Sequence, residues 1–179
     1  NGVTYKREVI ASFADHVVMI HISADKSNAI SLKASYISPL PHTTSYNGKT
    51  LIMKGKCLSH EGVEGKIRVQ TTTGVKCVGG QVAMTDSTMS ISKASDVVLY
   101  VSTATNFVNY KDVSGDESKK SVDLLSNSMN KEFSKALVAH TNYYRKLFGR
   151  VSLDLPSTTN TNQPTNERLA DFQNSNDPS

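Results

Sequence analysis

The chain contains no tryptophan and only two cysteines, and it has no apolar run approaching the roughly 20 residues that a membrane-spanning helix needs. The missing tryptophan weighs against a free-standing sugar-binding module. Such modules present flat aromatic rings to sugar faces, because a ring covers the C–H surface with little conformational entropy to lose. Tyr5, Tyr36, Tyr46, Tyr100 and Phe107 lie in or beside expected strands and read as core; Tyr46, next to Asn47-Gly48, is the aromatic expected at a loop tip. Two cysteines permit at most one disulfide. Cys57 and Cys77 fall in separate expected strands, which fits either a bridge across a sheet or two free buried thiols. The opening residues also lack the charged, apolar and small-residue regions of a signal peptide, so any export signal is expected upstream.

A stripe of one charge sign is absent too. The formal charge of +4 and pI near 9.0 would suit an acidic partner, but Lys6 and Arg7 adjoin Glu8, and Asp116 and Glu117 adjoin Lys119 and Lys120. Interleaved charges cannot neutralise a run of phosphates, so nucleic acid is not the expected partner. A solvated mixed-charge surface is.

What is present is enough for one domain with a substantial core: 179 residues, the first hundred or so reading as successive strands. Ile67, Val69 and Thr71 alternate with Lys66, Arg68 and Gln70, the pattern of a strand with one wet face. Val18, Ile20 and Ile22 instead alternate with Val17 and Met19, and Val97, Leu99 and Val101 with Val98 and Tyr100, so both faces of these strands should be covered. That requires stacked layers. Turn signals at Asn47-Gly48, between Gly62 and Gly65, and at Gly79-Gly80 suit the hairpins of a sandwich rather than βαβ crossovers. There is no internal repeat or low-complexity tract.

Near Val113 the pattern changes. Ser114-Gly115-Asp116-Glu117 fits a capping box, with the serine oxygen accepting an early helix amide and the glutamate reaching back. Helices are expected over 116–128 and 131–148, the second ended by Gly149 and carrying an apolar stripe of Phe133, Leu137, His140, Tyr144 and Leu147. Val151, Leu153 and Leu155 then alternate like a strand, 156–163 reads as linker, and another helix opens at Thr165 with only Leu169 and Phe172 as apolar anchors. Its packing surface is expected in sequence beyond Ser179.

Glycoside hydrolysis needs two carboxylates across a sugar bond, one protonated and one ionised. Asp15, Glu61, Glu64, Asp86 and Asp96 are available, but they adjoin expected turns or strand ends, and their spacing selects no pair. His16 and His21 are an odd number of positions apart, so in a regular strand they point to opposite faces and share no metal ion. The same parity separates Cys57 from His60 as nucleophile and base. His42, His60 and His140 lack ligand-like neighbours at helical or hairpin spacing, and His140 reads as a core histidine bonded to backbone. No catalytic, cofactor-binding or metal-binding residue is assigned.

Three segments carry a family resemblance: TYKREVIASFADHVV, with Tyr5, Arg7, Glu8, Ser12 and Asp15; SDVVLYVSTATNFVNYKDVSGD, with Asp96, Thr103, Thr105, Asn106, Phe107, Tyr110 and Gly115; and AHTNYYRKLFGRVSLDL followed by PTNERLADF and Asp177-Pro178. Together they resemble glycoside hydrolase family 95, the α-L-fucosidase and α-L-galactosidase family. The sequence departs from that family at His21, where an arginine is usual, and at Tyr143, where an aspartate is frequent.

The resemblance implies a partial antiparallel β-supersandwich at 1–113, with the family's opening strands expected ahead of Tyr5. Linker helices at 114–179 would lead to a missing (α/α)6 barrel that holds the catalytic carboxylates. It implies an inverting, cofactor-free parent enzyme acting on terminal α-L-fucosyl links of glycans, exported to the periplasm or secreted, with this part of it inactive by itself. The partners implied are that barrel and, for the parent, the glycan; no nucleic acid or membrane is among them, and unpaired edges would favour self-association of the fragment. An α-L-galactosidase parent, or a sugar-binding β-sandwich without catalysis, are the alternatives.

Overall fold

A computed structural model describes residues 2–154 and 162–172. Nine strands come first: β1 (Tyr5–Ser12), β2 (Val17–Ala24), β3 (Ile30–Ser35), β4 (His42–Asn47), β5 (Thr50–Lys56), β6 (Arg68–Val78), β7 (Gln81–Met84), β8 (Thr88–Ala94) and β9 (Asp96–Thr105). Helices α1 (Glu117–Met129), α2 (Phe133–Phe148) and α3 (Thr165–Asp171) follow. The chain is thus mainly β with a helical C-terminal part, an antiparallel sandwich followed by helices.

The strands form a six-stranded sheet in the order β1-β2-β9-β6-β5-β4 and a three-stranded sheet β3-β8-β7. Between them lies a dry core in which Leu51, Val75, Val97 and Leu99 meet Ile30, Met89, Ile91 and Ala94. Burial of each such side chain favours folding by about 1.5–3 kcal/mol. Tyr36 closes one side of this core. Its hydroxyl donates to the Leu51 carbonyl at 3.2 Å and lies 2.5 Å from Thr73 Oγ1, and burial pushes its ionisation up to about 12.

The opposite face of the large sheet is covered by helices. Met19, Val98 and Tyr100 pack with Leu125, Phe133 and Ala136, which confirms that β9 is buried on both faces. The expected wet face of β6 is a correction: Gln70 and Thr72 lie buried under α1. Gln70 Nε2 donates to Ser121 Oγ at 2.8 Å, Ser118 Oγ donates to Gln70 Oε1 at 2.7 Å, and Thr72 Oγ1 lies 2.9 Å from Ser121 Oγ. A polar row can be buried when the covering helix supplies matched hydroxyls. Gly74, on the same row, lets α1 approach; an added Cβ there would meet Met129 Sδ at 2.4 Å.

The start of α1 differs from the capping box read in the sequence. Asp116 is the N-cap, its Oδ1 accepting from Lys119 N at 2.8 Å. Ser114 is instead held by Asp112, whose Oδ1 accepts the Ser114 amide, and Glu117 reaches Arg68, 2.8 Å from Oε1 to Nε. Of the turn signals, Asn47-Gly48 does connect a hairpin, β4 to β5. Gly79-Gly80 does not: it carries the chain from the large sheet to the small one. A Cβ on Gly80 would lie 2.4 Å from the Ser92 carbonyl oxygen, so the crossing needs glycine.

The chain divides into two compact units, Asn1–Tyr143 and Tyr144–Ser179, the division falling within α2. In the second, Gly149 ends α2 with its amide bonded to the Arg145 carbonyl, and Tyr144 stacks on Phe148. Residues 151–154 form no strand; Leu155 and most of the expected linker lie outside the described residues.

Candidate functional site: the His21 cleft

The turn at 13–16 closes the β1–β2 hairpin with Ser12 opposite Val17, and this register sets Glu8 opposite His21. On the other side His21 pairs with Val98, which leaves Asp96 as its diagonal neighbour two residues away on the same face. Hairpin arithmetic therefore puts one imidazole between two carboxylates. Nδ1 lies 3.2 Å from Glu8 Oε2, Nε2 lies 2.7 Å from Asp96 Oδ2, and the ring sits 4.7 Å from the Phe133 ring at the start of α2. A cleft of about 470 Å³ continues from this cluster past Lys76, Tyr100, Lys131 and Glu132.

The hydrogen bond from Lys6 holds the Glu8 carboxyl below its ordinary range, against burial and with the help of His21. Four further carboxyls are displaced the same way. For Asp15, burial works upward but is outweighed by the bonds from Lys131 and Ser12; Glu64 is lowered by Lys56, Asp112 by Ser114 and Glu117 by Arg68. A glycosidase general acid requires the reverse shift.

The carboxylates named from sequence do not gather. Asp15 is not solvated, contrary to expectation: the 13–16 turn tucks against the end of α1, where Asp15 accepts from Ser12 Oγ at 2.6 Å and pairs with Lys131. Ser128 Oγ donates to its carbonyl. Glu61 and Asp86 are exposed on turns, and Glu64 is exposed and paired with Lys56 at 3.1 Å. Asp96 alone reaches the cleft.

His16 occupies the left-handed turn at φ 55° rather than a strand, so the turn, and not strand alternation, separates it from His21. His42 and His60 are exposed and His140 is half-buried on α2. Cys57 and Cys77 are free, half-buried thiols; Cys57 lies just past β5, and Cys77 packs against the inter-sheet core. Among the described residues no three of His, Cys, Asp and Glu gather as a metal site.

Sequence reasoning missed Glu8, Lys131 and Phe133. The hairpin register would have found Glu8, since Ser12 opposite Val17 fixes it, whereas nothing local links Lys131 or Phe133 to strands more than a hundred residues earlier. The aromatics also need correction. Tyr100 is buried and Tyr36 half-buried, but Tyr5 and Phe107 are about half exposed, and Tyr46 at the β4–β5 hairpin is exposed as its loop-tip position suggests; Tyr110, outside that reading, is 84% exposed.

Residues 1–110 match the family described as glycosyl hydrolase family 65, N-terminal domain. Over 213 aligned residues the chain is 29% identical to alpha-L-fucosidase 2 of Arabidopsis thaliana, an alignment covering 99% of this chain and 25% of that protein. The chain thus spans about a quarter of the length of that relative. A structure from the human microbiome described as a kojibiose phosphorylase superposes with a TM-score of 0.53 at 11% identity, covering 83% of this chain and 22% of that one. This likeness concerns the fold alone.

Proposed function

Because the chain belongs to the glycosyl hydrolase family 65 N-terminal domain family, we propose that it is the non-catalytic sandwich and linker part of a family 95-type glycosidase. In this reading 1–113 is the sandwich, 114–179 leads to an (α/α)6 catalytic barrel, and the whole polypeptide is exported. It hydrolyses terminal α-L-fucosyl links with inversion, using a general acid and an activated water from the barrel.

One observation carries the family 95 choice. The family 65 match stops at residue 110, whereas the likeness to alpha-L-fucosidase 2 takes in 99% of the chain and so runs on through α1 and α2. The scatter of Asp15, Glu61, Glu64 and Asp86 away from the cleft that holds Asp96 supports a non-catalytic role. The alternative sugar is α-L-galactose, which differs from L-fucose by a hydroxyl at C6.

The test compares this chain with the longer polypeptide on aryl α-L-fucoside and aryl α-L-galactoside. The longer protein should release fucose as the inverted anomer, and this chain should release nothing at any pH. Inhibitor-sensitive turnover by homogeneous 179-residue protein would overturn the non-catalytic assignment. Phosphate-dependent cleavage of kojibiose by the longer protein, without fucoside hydrolysis, would overturn the fucosidase reading.

A further inference from the structure

Between β9 and α1 the chain makes a loop whose root is rigid and whose tip is bare. At the root, Asn106 is fully buried and all its side-chain polar atoms are committed: Oδ1 accepts the Arg68 amide at 2.8 Å, and Nδ2 donates to the carbonyls of Lys66 at 3.1 Å and Val113 at 2.7 Å. Its backbone carbonyl takes the Gly115 amide, and a Cβ on Gly115 would press within 2.9 Å of that same oxygen. Asn109 and Asp112 then close a tight turn by reciprocal backbone bonds, with Asn109 Oδ1 on the Lys111 amide. Within this frame Phe107, Val108 and Tyr110 are exposed.

Several other exposed rings have intramolecular partners. Phe13 stacks on Tyr143 at 4.2 Å, Tyr144 on Phe148 at 5.5 Å, and the Tyr5 hydroxyl bonds the Ala29 carbonyl. Tyr110 is met by the Lys111 ammonium, 5.2 Å from its centroid, which steadies the ring and places a hydroxyl-binding donor beside it. An aromatic side chain has few rotatable bonds to order when a ligand arrives, the hydrogen-bonded turn already holds its backbone, and its face matches the C–H face of a pyranose.

We propose that the 107–112 turn is a carbohydrate contact, with Tyr110 stacking on a neutral hexose or 6-deoxyhexose and Lys111 binding its hydroxyls. This rests on the reading above for the kind of ligand, and it goes beyond it by giving this sandwich, rather than the barrel alone, a part in holding sugar.

The test is a 15N-resolved NMR titration of the 179-residue protein with L-fucose and, separately, with kojibiose. Amides of 107–112 should shift and saturate on the order of millimolar sugar. Tyr110→Ala should weaken the response roughly two- to tenfold, and Tyr110→Phe should retain it; an exposed side chain makes unfolding by either change readily excluded from the spectrum itself. Shifts confined to other regions, or an unaltered response in Tyr110→Ala, would overturn the proposal. If kojibiose but not fucose moves 107–112, the contact stands with a hexose as its ligand, and the fucosidase reading is decided by the activity of the longer polypeptide. If neither sugar moves them while the longer polypeptide hydrolyses fucosides, the contact falls and that reading stands.

Discussion

The two faces of the six-stranded sheet are buried by different physics. Toward the small sheet, Leu51, Val75, Val97 and Leu99 are held by apolar contact, with Tyr36 as the polar closure. Toward α1, Gln70 and Thr72 are equally inaccessible but are held by a chain of hydroxyls, with Leu125 and Phe133 supplying the apolar part. β6 and β9 contribute to both. The contrast teaches that burial alone does not say what a residue contributes: a methyl group lost from the dry face leaves a cavity, whereas an amide lost from the helix face leaves its partners unpaired.

The sharpest way to separate the faces is therefore substitution on each. Leu51→Ala should cost about 2–5 kcal/mol in urea-induced unfolding, the range for large-to-small changes at dry sites. A loss near zero would mean that the sheets do not pack tightly there. Gln70→Ala should cost less, about 1–3 kcal/mol, because Ser118 and Ser121 lose their partner. Combining Gln70→Leu with Ser118→Ala should recover part of that loss. If the pair is worse than the single change, the helix face is held by shape and not by matched hydrogen bonds.

Acid distinguishes the faces as well. The folded Asp15 carboxyl ionises below the 3.8 of an unperturbed aspartate, so its stabilisation is complete above about pH 4 and is lost as pH falls through the folded value. Asp15→Asn should accordingly cost about 1.5 kcal/mol at pH 7, with the gap to the parent protein closing in acid. A constant gap between pH 7 and pH 2 would remove ionisation from the explanation. Smallest is the helix cap: Asp116→Ala should cost about 1 kcal/mol, while Ser114→Ala changes stability by less than about 0.5 kcal/mol. The opposite ranking in thermal melts would restore the serine cap.

Sequence made the dry face legible, and the helix face legible on β9 but not on β6. Two interleaved apolar rows on β9 already require cover on both sides, and Asn47-Gly48 announces its hairpin. Gln70 and Thr72, by contrast, carry the residue types of a solvent face; only the serines of α1, a separate segment 48 to 51 positions away from Gln70, reverse that reading. The serine cap read from the sequence fails because Asp112 engages the Ser114 amide, and the helix instead starts on Asp116. Of the His21 cleft, Glu8 was readable from hairpin register. Phe133 and Lys131 were not, because their placement depends on how α1 crosses the sheet. Exposure of Phe107 was hidden for another reason: aromatic residues beside strands usually enter the core, and nothing short of the Asn106 hydrogen bonds shows that this loop stands clear of it.

The strand order β1-β2-β9-β6-β5-β4 places the last strand to be synthesised in the middle of the sheet. Until Asp96–Thr105 has left the ribosome, the six-stranded sheet exists only as a β1-β2 hairpin and a β4-β5-β6 meander, each with an open edge where β9 will insert, although the β3-β8-β7 sheet can already pair. Such edges are receptive to wrong partners while they wait for β9 to be synthesised. Nascent chains stopped before Asp96 should therefore be cut readily by protease and bound by chaperones, and those extended past Met129 should resist. Resistance acquired before β9 emerges would mean that the two half-sheets find another way to cover themselves.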